Sequence, residues 1–219
     1  IYFMPISHKH KIIFVHIPKT AGQTIEKSLN IFGEDNSGKL KASMDILYGI
    51  LNGKSLQHLT IQEIKKIRES EFRIYKKIAF VRNPFDRIIS EYFWRMQYFG
   101  KKMIKFKNFL VEEVIPRKNG IPKVMKNFYK HENIVKLIDD HYMDQYKFIT
   151  DNKGNIMVDF IGRFENLNDD FKKACGLELI NQKIQCTKHN NYKEYYDSET
   201  KLLVEKCYKK DLELFKYEF

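Results

Sequence analysis

The sequence predicts an α/β fold, a three-layer arrangement with a central parallel sheet flanked by helices. Three strand–turn–helix units predict it. "KIIFVHI" (residues 11–17) is a short apolar run rich in β-branched residues, and it leads through a turn into "TIEKSLNIF". "YKKIAFV" (75–81) leads straight into "RNPFDRIISEYFWRMQYFG". "VDFIGRFE" (158–165) precedes "NLNDDFKKACG". Continuous apolar strands alternating with helices imply a parallel sheet covered on both faces.

Each element has a local reason. In the first helix Ile25, Leu29 and Phe32 share a face, and Gly33 is a plausible stop. "EDNSGKLKAS" (34–43) is polar and expected to be flexible, as are residues 1–10. "MDILYGIL" reads as a helix. "TIQEIKKIRE" opens on Thr60 with Glu63 three residues on, a capping box over an Ile61, Ile64, Ile67 stripe. Pro84 suits a first helical turn, followed by a wide apolar face of Phe85, Ile88, Ile89, Tyr92, Phe93 and Met96. "NFLVEEVI" and "NIVKLIDDHY" read as amphipathic helices. Gly176 should end the helix after the third strand, and Ser198 should cap a C-terminal helix. The 219 residues suit one domain, 1–219.

Composition excludes several classes. With 43% hydrophobic and 14% aromatic residues, the chain has enough apolar surface to fold. No apolar run reaches the length of a membrane span, and "IYFMPISHKHK" lacks the apolar core of a signal peptide. Cys175, Cys186 and Cys207 form no CxxC pair, which disfavours a disulfide framework or a zinc site and suits thiols in a reducing compartment. The net charge of +11 favours polyanionic ligands, although a solvated basic face accounts for it equally.

Two segments carry chemistry, and both fall at the carboxyl ends of strands, where ligands of such sheets bind. Pro18–Thr24 resembles a phosphate-gripping loop, so the fold is P-loop-like. Backbone N–H groups and the helix terminus would face an anion, Lys19 adds a mobile charge, and Thr20, Gln23 and Thr24 add donors. The pattern GxxxxGK[ST] is not met, so a magnesium-nucleotide loop fits badly and no metal is expected. An ordinary strand-to-helix turn stays open as the plainer reading. In the second segment, Arg82 offers a planar fork and Ser90, eight residues on, a hydroxyl, a pair suited to a phosphate dianion. Asp86 and Arg87 read as a structural ion pair.

Two anion seats on one sheet edge suit a nucleotide charged at both its 5' and 3' positions. "FVHIPKTAGQTI" and "AFVRNPFDRIISEY" resemble the two signature segments of sulfotransferases that use 3'-phosphoadenosine 5'-phosphosulfate (PAPS), in their Golgi-type carbohydrate branch, family 2-like. "LQHLT" (56–60) is similar to that family's His segment, "HYMDQYKFI" to its His-Trp-x-Pro-Gln stretch, and "VDFIGRFENLNDDF" and the C-terminal helix region also fit. The resemblance runs from Lys11 onward. It implies that Thr20, Ala21, Gly22, Gln23 and Thr24 cradle the 5'-phosphate, with Lys19 beside the transferring sulfuryl group. It also implies that Arg82 and Ser90 hold the 3'-phosphate and that His58 is the catalytic base. Tyr142 and Asp144 depart from the family's Trp and Pro.

The resemblance further implies PAPS as cosubstrate, 3',5'-bisphosphoadenosine (PAP) as product and a carbohydrate or glycoconjugate acceptor, which the lysines would suit if it is acidic. The implied compartment is the cytoplasm for a bacterial chain or the Golgi lumen for a trimmed eukaryotic domain. His16 reads as structural, His141 and His189 as candidate acceptor contacts, and Glu165 as either a second carboxylate near the site or a helix N-terminal charge. The competing readings are a magnesium-dependent P-loop kinase or NTPase and a non-catalytic polyanion-binding protein. No nucleic-acid module is visible.

Overall fold

This computed structural model describes residues 4–31, 48, 50–51, 54–98, 104–119, 140–180 and 189–219. Cys186 and the polar stretch 34–43 lie outside them, as does most of "NIVKLIDDHY". The chain divides into two compact units: 1–82 with 145–185, and 83–144 with 186–219.

The first unit holds the sheet. Its strands are β1 (Ile6–Ser7), β2 (Ile12–Val15), β5 (Lys76–Val81) and β6 (Phe160–Arg163), in the order β1-β2-β5-β6. The last three are parallel, as expected, while β1 runs antiparallel to β2 and makes the sheet mixed. Residues 4–7 are therefore not a loose terminus: Met4, Ile6 and Ser7 are buried, and Ile6 pairs with Ile13.

Alternation explains the burial. Ile12, Phe14, Ile78 and Phe80 form one apolar cluster with Ile25 of α1 (Gly22–Ser28), its C-cap Leu29, and Phe171 and Ala174 of α8 (Leu167–Cys175). Ile13, Val15, Ala79 and Val81 point to the opposite face and are equally inaccessible. A strand buried on both faces has no polar positions, which is why these runs read as continuous apolar stretches.

Capping follows the sequence in most places. Thr60 and Glu63 form the reciprocal box that starts α2 (Ile61–Ile67), and α3 (Glu69–Ile74) follows it. Gly176 ends α8 with φ +68°, a conformation that costs a side chain more than it costs glycine. The end of "MDILYGIL" is not helical: Ile50–Leu51 (β3) pairs with Lys54–Ser55 (β4) in a hairpin. The hairpin feeds a 3-10 turn, Leu56–His58. Helix α7 (Gln145–Ile149) completes this unit's helices among the described residues.

The second unit is helical. Among the described residues its elements are α4 (Pro84–Tyr98), α5 (Phe106–Phe109), a π-helical turn (Leu110–Val114), α6 (Ile115–Lys118), α9 (Ser198–Cys207) and α10 (Lys209–Phe215), with 3-10 turns at Asp140–Tyr142 and Tyr192–Tyr195. The apolar face of α4 packs with Phe109, Leu110, Val114, Tyr142, Val204 and Tyr208. Pro84 takes the first position of α4, as expected, and the preceding Asn83 side chain caps the helix by accepting from Phe85 N at 3.1 Å. Asp197, not Ser198, caps α9, because its carboxylate accepts from Thr200 N while Thr200 Oγ1 accepts from Asp197 N. Asp86 and Arg87 do not form the expected pair, since adjacent helix positions face different ways. Arg87 donates to Met143 O at 2.7 Å, and Asp86 lies 3.8 Å from His189.

Cys175 and Cys207 are free, half-buried thiols. Burial raises both, and Cys175 is pushed up to about 11 against a small opposing effect of Lys76. Only the thiolate reacts, so at pH 8 roughly 0.1% of Cys175 is reactive, against roughly a quarter of an ordinary thiol. Native alkylation of Cys175, followed by mass spectrometry, should be slow at pH 8 and accelerate on denaturation. Rapid native labelling would refute the buried-thiol environment.

Candidate active site

The loop after β2 is strained. Lys19 and Ala21 both have positive φ, +69° and +65°, where neither side chain is comfortable. Local bonds hold the turn. Thr20 is fully buried, and its hydroxyl donates to Ile17 O at 2.8 Å, so it closes the turn instead of facing outward as a donor. Ala21 O accepts from Thr24 N and Ile25 N. Ala21, the residue before α1, has no side-chain acceptor to offer the helix's first turn. A strained turn ahead of an uncapped helix start has the backbone chemistry of an anion cradle.

Gly22 is set by a close approach. A Cβ there would lie 2.0 Å from His16 Nε2. His16 cannot yield, because its ring is buried, stacks on Phe14 (5.5 Å between centroids) and donates from Nδ1 to Glu26 Oε1 at 2.5 Å. His16, expected to be structural, thus forms the floor of the loop.

The loop after β5 starts at Arg82. Gln145 grips that residue's backbone from both sides: its Oε1 accepts from Arg82 N and its Nε2 donates to Arg82 O, each at 2.9 Å. The guanidinium lies 4.0 Å from the centre of the Phe164 ring. Its Nη1 donates to Lys19 O at 3.1 Å. The two signature segments therefore touch, which follows from β2 and β5 being parallel neighbours with Val15 opposite Ala79.

His58 sits in its 3-10 turn, 8% exposed, with its ring edge-on to His16 at 4.9 Å. The adjacent Gln57 donates from Nε2 to both Glu26 oxygens, at 3.1 and 3.3 Å. Of the expected site residues, the first unit holds Lys19, Thr20, Ala21, Gly22, Gln23, Thr24, His58 and Arg82. Ser90 is buried on α4 in the second unit.

The Sulfotransferase family matches residues 4–218. The chain belongs to that family. Carbohydrate sulfotransferase 9 of Homo sapiens is 25% identical over 225 residues, covering 94% of this chain and 47% of that protein. Carbohydrate sulfotransferase 11 of Rattus norvegicus is 26% identical over 182 residues, covering 75% and 49%. The mouse protein of the same name matches equally well. The chain thus spans about half the length of these relatives. No solved structure matches it.

Within this member of the Sulfotransferase family, the second unit holds the variant His141–Gln145 segment up to Asp144. His141 Nδ1 meets Glu91 Oε2 at 2.8 Å and its ring stacks on Trp94 at 5.0 Å. Glu91 also accepts from Arg95 Nε at 2.6 Å. The departures have structural uses. The Tyr142 ring receives the Arg95 and Arg117 guanidiniums, each 4.8 Å from its centre. Asp144 pairs with Lys118 at 2.5 Å. Burial still draws the Lys118 ammonium below its usual range, outweighing that carboxylate. His189 stacks on Phe93 and stays in the second unit. Among the described residues no cluster of His, Cys, Asp and Glu is arranged to hold a metal, and no helix is long and apolar enough to cross a membrane.

Sequence reasoning missed Gln145, Phe164 and Glu26. The one signal was that Gln145 is the family stretch's Gln, retained where Trp and Pro are not. Gln145→Ala should leave Arg82 N and O without their buried partner, destabilising the chain by about 1–3 kcal/mol. Urea denaturation checks this, and an unchanged midpoint would show that water replaces the clamp. Gly22→Ala should cost about 1–3 kcal/mol through overpacking against a ring that cannot move, read as a fall in Tm.

Proposed function

We propose that residues 1–219 act as one sulfotransferase domain that moves a sulfuryl group from PAPS to a hydroxyl of a carbohydrate acceptor. The Arg82 Nη1 to Lys19 O hydrogen bond carries the reading. It ties the two segments that would hold opposite ends of one bisphosphorylated nucleotide.

Backbone and side chains of Thr20–Thr24 take the 5'-phosphate, with Thr20 contributing through its backbone. Arg82 takes the 3'-phosphate. His58 accepts the acceptor's proton as the acceptor oxygen bonds to sulfur. The bond from sulfur to the bridging oxygen breaks, and PAP leaves with that electron pair. Lys19 balances the charge growing on the bridging oxygen. In-line transfer of this kind rests on positioning and charge stabilisation and needs no covalent intermediate. The relatives' names, carbohydrate sulfotransferases, support a carbohydrate as acceptor. The +11 net charge suits an acidic glycan and would also draw in the donor.

PAP should raise the Tm without magnesium, and chelator should not abolish the shift. Arg82→Ala should weaken PAP binding about ten- to a hundredfold. No shift with PAP would overturn the reading, and a magnesium-dependent shift with ATP would favour a kinase or NTPase. Labelled sulfate transfer over neutral and acidic glycans identifies the acceptor. His58→Ala should lower kcat by roughly 10²–10⁴ with PAP affinity kept, and an unchanged kcat would remove His58 as the base.

A further inference from the structure

We propose that Glu26 is the positioning residue of this site, one buried carboxylate that sets both the floor of the anion loop and the turn carrying His58. The inference rests on the sulfotransferase reading and adds a residue that neither signature segment's expected roles include.

Glu26 lies one turn into α1 with no solvent exposure. A position closed to solvent this completely seldom carries an acidic side chain unless it is paired. A buried carboxylate must be compensated by donors, and well-packed apolar residues often replace such groups without loss of stability. Glu26 has its donors from two directions. His16 Nδ1 donates to Oε1 at 2.5 Å, and Gln57 Nε2 donates to Oε1 and Oε2 at 3.3 and 3.1 Å. Tyr48 is buried nearby, and its hydroxyl is held well above its usual range by burial first and then by the Glu26 charge.

Each donor belongs to a different half of the machinery. His16 lies against Gly22, whose missing Cβ would sit 2.0 Å from Nε2, so the tilt of the imidazole sets where the anion loop can rest. Gln57 is the neighbour of His58 in a three-residue turn, so its amide fixes where that turn stands. The two halves meet again at the rings, with His58 edge-on to His16 at 4.9 Å. The links come from residues 10 and 31 positions from Glu26 in the chain, so no local propensity explains them. Glu26 touches neither donor nor acceptor in this scheme. It acts through His16 on nucleotide binding and through Gln57 on the base.

The full chain is tested by calorimetric titration with PAP and by steady-state transfer to whichever glycan the wild type sulfates. Gln57→Ala should lower kcat about ten- to a hundredfold through a misplaced base, with PAP affinity within about twofold. Combined with His58→Ala it should cost nothing further, because it acts through His58. Glu26→Gln should weaken PAP binding and lower kcat together. His16→Ala should mainly weaken PAP binding.

Multiplying losses for Gln57→Ala and His58→Ala would overturn the inference, as would Glu26→Gln with both readouts within about twofold of wild type. A general loss of stability would instead lower Tm and leave the remaining folded fraction with unchanged KM and per-molecule kcat. Should Glu26→Gln fail to fold, the Gln57/His58 cycle decides alone. Absence of PAP binding by the wild type would overturn the sulfotransferase reading and this inference with it. Intact wild-type binding with unaffected variants overturns only the inference.

Discussion

The parallel pairing of β2 with β5 is the constraint from which the rest follows. Parallel neighbours end at the same edge of the sheet, so the turns that leave them are forced side by side. Here the register sets Val15 opposite Ala79, and the chain after each strand reaches Lys19 and Arg82 within a few residues. The Arg82–Lys19 hydrogen bond is then a consequence of topology. Nothing comparable would join residues 63 positions apart in sequence if the strands were antiparallel or separated by a third.

A turn that presents backbone N–H groups outward must adopt left-handed conformations, and this chain does so at Lys19 and Ala21 without glycine. Each such residue costs of order 1–3 kcal/mol, and the surroundings must over-determine the shape. The surroundings supply this from beneath: the buried Thr20 hydroxyl on Ile17 O, and the His16 ring against Gly22. The glycine sits at the point of closest approach, where a side chain has no room. The same logic holds the second turn. An arginine side chain is long and flexible, and its direction is set once its own backbone is clamped by Gln145 and its guanidinium lies over the Phe164 ring.

What could be read from the sequence was whatever is encoded over a few neighbouring residues. The strands at Ile12, Lys76 and Phe160 announce themselves as apolar runs, the Thr60–Glu63 box by its spacing, and Gly176 by its place after an amphipathic helix. The antiparallel β1 was missed because two residues give no period. The Ile50–Leu51 hairpin was missed because "DILYGIL" fits a helical stripe as well as a strand. Asp197 took the cap from Ser198 because its carboxylate meets Thr200, a one-residue shift that composition does not resolve. In the candidate site, the two signature segments were legible as segments, whereas the groups that hold them in place were not. Glu26 in "TIEKS" has the spacing of a solvent-facing charge between Ile25 and Leu29. Only the return of the chain at Gln57 makes it the centre of a buried network.

That network also bears on why a histidine stands inside an otherwise apolar strand. His16 continues the alternation of β2 and stacks on Phe14, so an apolar ring would satisfy packing there. An apolar ring could not donate to Glu26, and the carboxylate would then be buried with fewer partners, at a cost of several kcal/mol. Nor would leucine at position 26 serve in return, because Gln57 and His16 would each lose an acceptor in a region closed to water. The three side chains stand or fall together. Such mutual dependence contributes little to net stability, since each polar group mainly offsets the desolvation of another. Its consequence is geometric: the strand end, the helix start and the His58 turn share one centre, and none of them can shift without breaking a hydrogen bond that water cannot replace.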